Sequence, residues 1–349
     1  MCEHACFRRR GRGGLGGRGA RRLRAAAIPF LLGLSSCLPD PASPILPPAD
    51  LKPPLVLEAG PEGASSFLLR FDEAVEPVEG SFGLEPGPAS PAARAEGDFL
   101  RLEFGAELEP GADYAVTGEA EDGAGNATRF CFSFAGWNGR PAALRLSEAQ
   151  AAKNSSASRP HRDFLELVVE EAGNLGGVEL CWANAAKRFS YRFRGVEVGA
   201  GEYLVLHLAP EGRAEEIDEL GADLAASGGV DASPGARDFW CGAGGLPDAS
   251  GAVALRPRPG APVADALFYA DSGKEGALGD DKLAALVAEL GEAWPLGGTS
   301  AAWEDAFRWK PSTARSLCRR PGSERGAEAW YLGEASSQSP GGPNDPPGE

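Results

Sequence analysis

The sequence predicts an all-β protein made of two β-sandwich domains in tandem, the second carrying helical and loop insertions. Two observations lead there. Short apolar runs of strand length recur along residues 55–135 and again along residues 142–271, separated each time by turn residues. The chain also holds 48 Gly and 29 Pro in 349 residues, a punctuation that suits many short strands better than long helices.

Before the first strand stands a different kind of segment. Arg21, Arg22 and Arg24 precede an apolar run over 25–34, then Ser35, Ser36 and Cys37. A basic stretch, about ten apolar residues and small residues form an export signal, and the run falls short of the roughly 20 apolar residues needed to span a bilayer. Leu34-Ser35-Ser36-Cys37 resembles a bacterial lipobox. That resemblance implies a signal peptide at 1–36, cleavage before Cys37, and lipid attachment there to several acyl chains, enough for stable anchoring. Residues 37–54, rich in Pro, Asp and Ala, read as a flexible tether.

In the first domain, residues 55–135, strands are expected at 55–57, 67–71, 99–104, 114–117 and 130–134. Phe130, Phe132 and Phe134 share one face by the two-residue period, with Cys131 and Ser133 on the other. Pro110-Gly111 turns the chain before Tyr114, and Gly123 and Gly125 permit a tight hairpin. The Leu69–Val75 strand, the Leu108–Tyr114 corner and Glu121–Asn126 resemble, in that order, the bacterial Ig-like domain of S-layer and other surface proteins. Asp122 and Asn126 are read as capping a turn, since the alternating acids of a calcium loop are absent.

The second domain, residues 142–344, has expected strands at 143–147, 164–169, 178–182, 189–193, 203–208, 252–255 and 264–269. The ordered set Asp163–Leu167, Asn174–Leu180, Val198–Leu206, Gly251–Leu255 with Asp265, then Ser316–Arg320, Trp330 and Ser339–Asn344 resembles a lamin-tail domain. Both resemblances imply Ig-like sandwiches, and the second implies attachment or interaction rather than a reaction. Two insertions, 209–238 and 272–311, interrupt this domain. In the second, Asp280-Asp281 caps a helix running to Leu290, with Leu283, Leu286, Val287 and Leu290 at helical spacing. Residues 345–349 are expected to be a disordered tail.

Composition limits the partners. The formal net charge is −16, and removing residues 1–36, with eight Arg and one Glu, makes it −23. So acidic a body disfavours nucleic acid, whose binding needs a clustered cationic footprint. The one basic concentration is Lys310, Arg315, Arg319, Arg320 and Arg325, a candidate patch for an anionic partner. Trp303, Phe307 and Trp309 lie nearby in sequence, as contact area if exposed or as packing for the inserted helix if buried.

Cys131, Cys181, Cys241 and Cys318 remain in the exported body, too widely spaced for a zinc site; they read as disulfides or as inert buried thiols, with Cys181–Cys241 the preferred pair if bonded. No metal or other cofactor is expected. His161 and His207 sit in no HExxH or triad signature, and Glu166, Glu170 and Glu171 read as solvated faces. Gly242-Ala243-Gly244-Gly245 lacks the Lys-Ser/Thr of a phosphate loop and reads as a connection. No catalytic residue is assigned. The expected protein is a non-enzymatic, lipid-anchored component of the bacterial cell envelope acting in binding, presentation or scaffolding, at the outer membrane or cell surface in preference to the inner membrane. Its partner would be an envelope protein or glycan, and its oligomeric state is left open. The alternatives are a carbohydrate- or protein-binding adhesin, and an exported hydrolase using an unrecognised carboxylate site.

Overall fold

Alternating apolar residues need a second layer to cover them, and the chain supplies it twice. The computed structural model describes residues 50–87, 91–153, 161–298 and 300–345. The first module holds β1 (Val56–Gly63), β2 (Ser66–Phe71), β3 (Glu76–Pro77), β4 (Gly83–Glu85), β5 (Ala92–Glu96), β6 (Phe99–Glu103), β7 (Asp113–Glu121) and β8 (Ala127–Ala135). One sheet runs β1-β2-β6-β5; in the other, β7 pairs with β8 on one side and with β3 and β4 on the other. Phe67, Leu69, Phe71, Leu100, Leu102 and Val116 fill the space between them. The expected face is seen on β8: Phe130 is buried and Phe132 and Phe134 pack on the core, while Cys131 is exposed. β3, β4 and β5 escape the sequence reading because they are short and carry few apolar residues. The β7–β8 hairpin forms with Gly125 at φ 86°, and Tyr114 fixes the corner by accepting from Glu109 N at 3.0 Å.

The second module is larger. It comprises β9 (Ala143–Gln150), β10 (Phe164–Glu171), β11 (Gly173–Asn174), β12 (Glu179–Ala183), β13 (Arg188–Arg192), β14 (Glu197–Val198), β15 (Tyr203–His207), β16 (Ala236–Trp240), β17 (Gly251–Arg256), β18 (Asp265–Asp271), α1 (Lys282–Glu289), β19 (Phe307–Trp309), β20 (Leu317–Arg319) and β21 (Trp330–Leu332). A six-stranded sheet, β16-β15-β10-β9-β20-β21, faces a five-stranded one, β13-β12-β17-β18-β19. Trp182, Phe268, Tyr269, Leu165, Leu204 and Leu206 lie in the shared core. Both expected insertions feed this frame. β16, at the end of the first, adds parallel to β15, and β19, in the second, adds parallel to β18. Asp281 caps α1 as expected, accepting from Leu283 N and Ala284 N at 3.0 Å, and Leu283, Leu286 and Val287 are buried.

The two cores share no residue, yet the modules meet closely. A Cβ on Gly111 would stand 2.0 Å from Gly177 N, so only glycine lets the first module's corner reach the second, and Asn138 Nδ2 donates to the carbonyls of Asn174 and Gly176. Among the described residues no helix is long and apolar enough to cross a membrane.

Candidate functional site

The chemistry collects on the outer face of the six-stranded sheet. Directly opposed residues share a face. The registers therefore line up Asp238, Val205, Glu166, Glu148, Cys318 and Tyr331, one from each of β16, β15, β10, β9, β20 and β21. Two residues along, a second row holds Trp240, His207, Phe164 and Gln150. The opposite face carries Leu165, Leu167, Leu204, Leu206 and Phe239 into the core.

Glu166 was expected to be solvated; it is 0% exposed, as is Glu148 beside it. The face is covered. From the chain's end, Ser339 donates to Glu148 Oε2 through its backbone N (3.1 Å) and its Oγ (3.2 Å), and Gly341 N donates to Glu166 Oε2 at 2.8 Å. Ser316 Oγ donates to Glu148 Oε1, while Glu166 Oε1 is buried without a partner among the described residues. No Lys or Arg among these residues pairs with either carboxyl, and none of the ion pairs of the sheet reaches them. Burial first, and then the charge of Glu148, pushes Glu166 up to about 8; burial also raises Glu148. The pair is thus a carboxyl dyad able to retain a proton at neutral pH.

The neighbouring row holds a second buried set. His207 Nε2 and Asp238 Oδ1 are 2.7 Å apart, both almost wholly buried, and the imidazole stacks on Trp240 at 4.0 Å. Asp238 Oδ2 accepts from Ser233 N, and Glu219 accepts from Asp238 N and Ser227 N. His161 pairs instead with Asp231 at 2.7 Å, so the two histidines have separate partners. At the start of β10, burial followed by the charge of Asp248 raises Asp163 to about 7, and a Cβ on Gly245 would stand 2.0 Å from its Oδ2. Close approach, not phosphate binding, explains a glycine there. Glu170 is exposed and paired with Arg145.

The expected basic patch does not assemble as a unit. Arg319 is buried, with its Nη1 2.6 Å from Asp265 Oδ2 and its guanidinium over Trp330; Arg320 lies over Tyr331, and Arg315 is 3.8 Å from Glu334. Arg325 reaches the Glu292 carbonyl, and Lys310 is exposed. Acidic and aromatic neighbours supplied by the tertiary fold absorb most of this charge. Arg145, Arg319 and Arg325 line an open cleft of about 450 Å³, together with Glu170, Asp265, Glu292 and Glu324. Trp309 is buried and Trp303 and Phe307 pack on the core, so these aromatics serve packing.

Cys181 and Cys241 are buried free thiols, and the expected bond between them is not formed; Cys131 and Cys318 are free as well. Burial raises Cys181 and Cys241 and pushes Cys318 up to about 12, which keeps them protonated and inert. Cys37 lies outside the described residues. Asp122 caps its own hairpin, accepting from Ala124 N and Asn126 N at 2.8 Å. Its carboxylate lies with those of Asp50 and Glu73 within 4.8 Å, three hard donors where calcium takes six to eight.

Residues 142–332 match the family model TP_1001_2nd, described as a protein second domain. The chain belongs to that family. It is similar to an uncharacterized protein of Treponema pallidum (strain Nichols), with 31% identity over 180 residues, covering 51% of this chain and 44% of the relative. The chain thus spans less than half the length of the curated relative it matches. No solved structure matches it.

Proposed function

We propose that this protein is a non-enzymatic, lipid-anchored component of a bacterial cell envelope that binds or presents a partner through its first module. The observation that carries this is the outer face of the β1-β2-β6-β5 sheet, which the other described residues leave open. Phe99, 40% exposed, and Leu68 form its apolar floor, and two adjoining depressions of about 270 and 330 Å³ share them. Arg70, Arg94 and Arg101 stand around them with Glu58, Glu62 and Glu96. An aromatic face ringed by polar forks suits a glycan or a polar protein surface. The lipobox-like Leu34–Cys37 supports anchoring, and the likeness of residues 55–135 to S-layer Ig-like domains and of 142–344 to lamin-tail domains supports attachment at the cell surface.

Capture from envelope extract by the full chain tests this. The expected result is a partner retained by the unaltered protein and lost with a Phe99→Ala, Arg101→Ala double variant that melts normally. Retention by both proteins would overturn the assignment to this face. A Cys37→Ser chain that still partitions into detergent would overturn the anchor.

The Glu148–Glu166 dyad favours a second reading, an exported hydrolase, because a carboxyl held protonated beside a second carboxyl is competent for acid–base work once uncovered. Turnover of ester, glycoside or peptide substrates that is abolished by Glu166→Gln would establish it.

A further inference from the structure

We infer that residues 338–345 are a latch on the Glu148–Glu166 pair, shut while one of the two carboxyls is protonated and released when both are charged. The segment lies across the outer face of the six-stranded sheet as a bound peptide. Gln338 Nε2 donates to Gln150 Oε1 at 3.1 Å, and Asn344 Nδ2 to the Ser147 carbonyl at 3.0 Å; the Tyr331 hydroxyl donates to the Asp345 carbonyl. Its centre, Ser339 and Gly341, is held by the dyad itself. Gly341 sits at φ 83°, where a Cβ would stand 2.5 Å from Ser233 Oγ, so the segment also seats against the loop that caps Asp238.

The electrostatics give the latch its condition. Glu148 has three donors, Ser316 Oγ, Ser339 N and Ser339 Oγ, while Glu166 accepts from Gly341 N and keeps an orphaned Oε1, and burial makes the charged form of both carboxyls costly. Around them stand Tyr203 and His207 on β15, Asp238 on β16, Cys318 on β20, Tyr331 on β21, Asp231 in the preceding loop and Asp345 on the strap. His207 is committed to Asp238 and His161 to Asp231. A second charge on the dyad therefore meets carboxylates, phenols and a thiol. Buried like charges side by side are relieved by admitting water, and the cover that excludes water here is the strap. That burial holds Glu166 near 8 agrees with a proton retained through neutrality.

Hydrogen exchange on the full chain across about pH 6 to about pH 10, corrected for the intrinsic rate, tests this. Protection of the strap amides, Ser339 and Gly341 above all, should fall by up to about tenfold per pH unit below about pH 8, where the covered pair still holds the proton that an uncovered pair would lose, and should level off above it, while β10 and β15 amides stay protected. Glu166→Gln, which keeps the acceptor for Gly341 N, should hold the strap shut across the range. Glu148→Gln, which removes the other charge, should do the same and stands in if the first variant fails to fold. Strap protection independent of pH, an unchanged step in both variants, or β10 exchanging in step with the strap would each overturn the latch.

Discussion

The two modules solve the same packing problem with opposite results on their outer faces. In the first, strands alternate cleanly: Leu100 and Leu102 of β6 are buried while Phe99, Arg101 and Glu103 face out, and that outer face stays open among the described residues. In the second, the six-stranded sheet is buried on both sides. Its inner face is apolar, but its outer face carries Glu148, Glu166, His207 and Asp238 beneath the part of the insertion 209–238 that precedes β16 and the strap 338–345. The difference shows how a two-faced strand becomes a chemical site. Covering a polar face desolvates its groups, so each must find a partner or shift its protonation.

Removing a large core side chain should have the greatest effect and tells whether the modules unfold apart. Phe67→Ala in the first core and Trp182→Ala in the second should each cost about 3–5 kcal/mol. Because the cores are separate, differential scanning calorimetry should show each change lowering mainly one transition; a joint drop in a single transition would mean that the Gly111–Gly177 contact couples the modules fully.

Raising the pH from acid through neutral should then weaken the second module. Asp163 rises from 3.8 to about 7 on folding. Its contribution is complete below the unfolded value and is lost as pH rises through the folded one, amounting to a loss on the order of 4 kcal/mol by mildly alkaline pH. Urea unfolding at acid, neutral and alkaline pH should show the decline, and Asp163→Asn should make it shallower, leaving the share that the raised Glu148 and Glu166 contribute. An unchanged slope in the variant would remove Asp163 from the account.

A smaller change tests a local signal. Asp281→Ala removes the cap from α1 and should lower stability by about 1 kcal/mol, read from the same urea curves. The smallest effect is expected on the open face, where Phe99→Ala should alter stability by under about 0.5 kcal/mol. A larger loss would mean that this face is structurally committed rather than available.

Some of this was legible from local pattern. The α1 cap, the β7–β8 hairpin and the Phe130–Phe134 face all depend on neighbours within a few residues. The buried dyad left a fainter sign: Phe164, Glu166 and Val168 share a face by period two, so Glu166 sits between apolar residues on its own side. In β15 both faces are apolar, with Tyr203 and Val205 on one and Leu204 and Leu206 on the other, which marks a strand buried twice and His207 with it. These patterns say that something covers the sheet, but not what.

By itself, then, the sequence determined the β class, most strands with their alternation, and the capped helix, because these follow from periodicities of two and 3.6 residues along one stretch of chain. The tertiary structure alone decided that Glu148 and Glu166, eighteen positions apart, stand opposed beneath a strap from the far end of the chain, that Arg319 is spent on Asp265, and that Cys181 and Cys241 are free thiols. Register between strands and the seat of a covering segment are set by long-range packing, which no local period encodes.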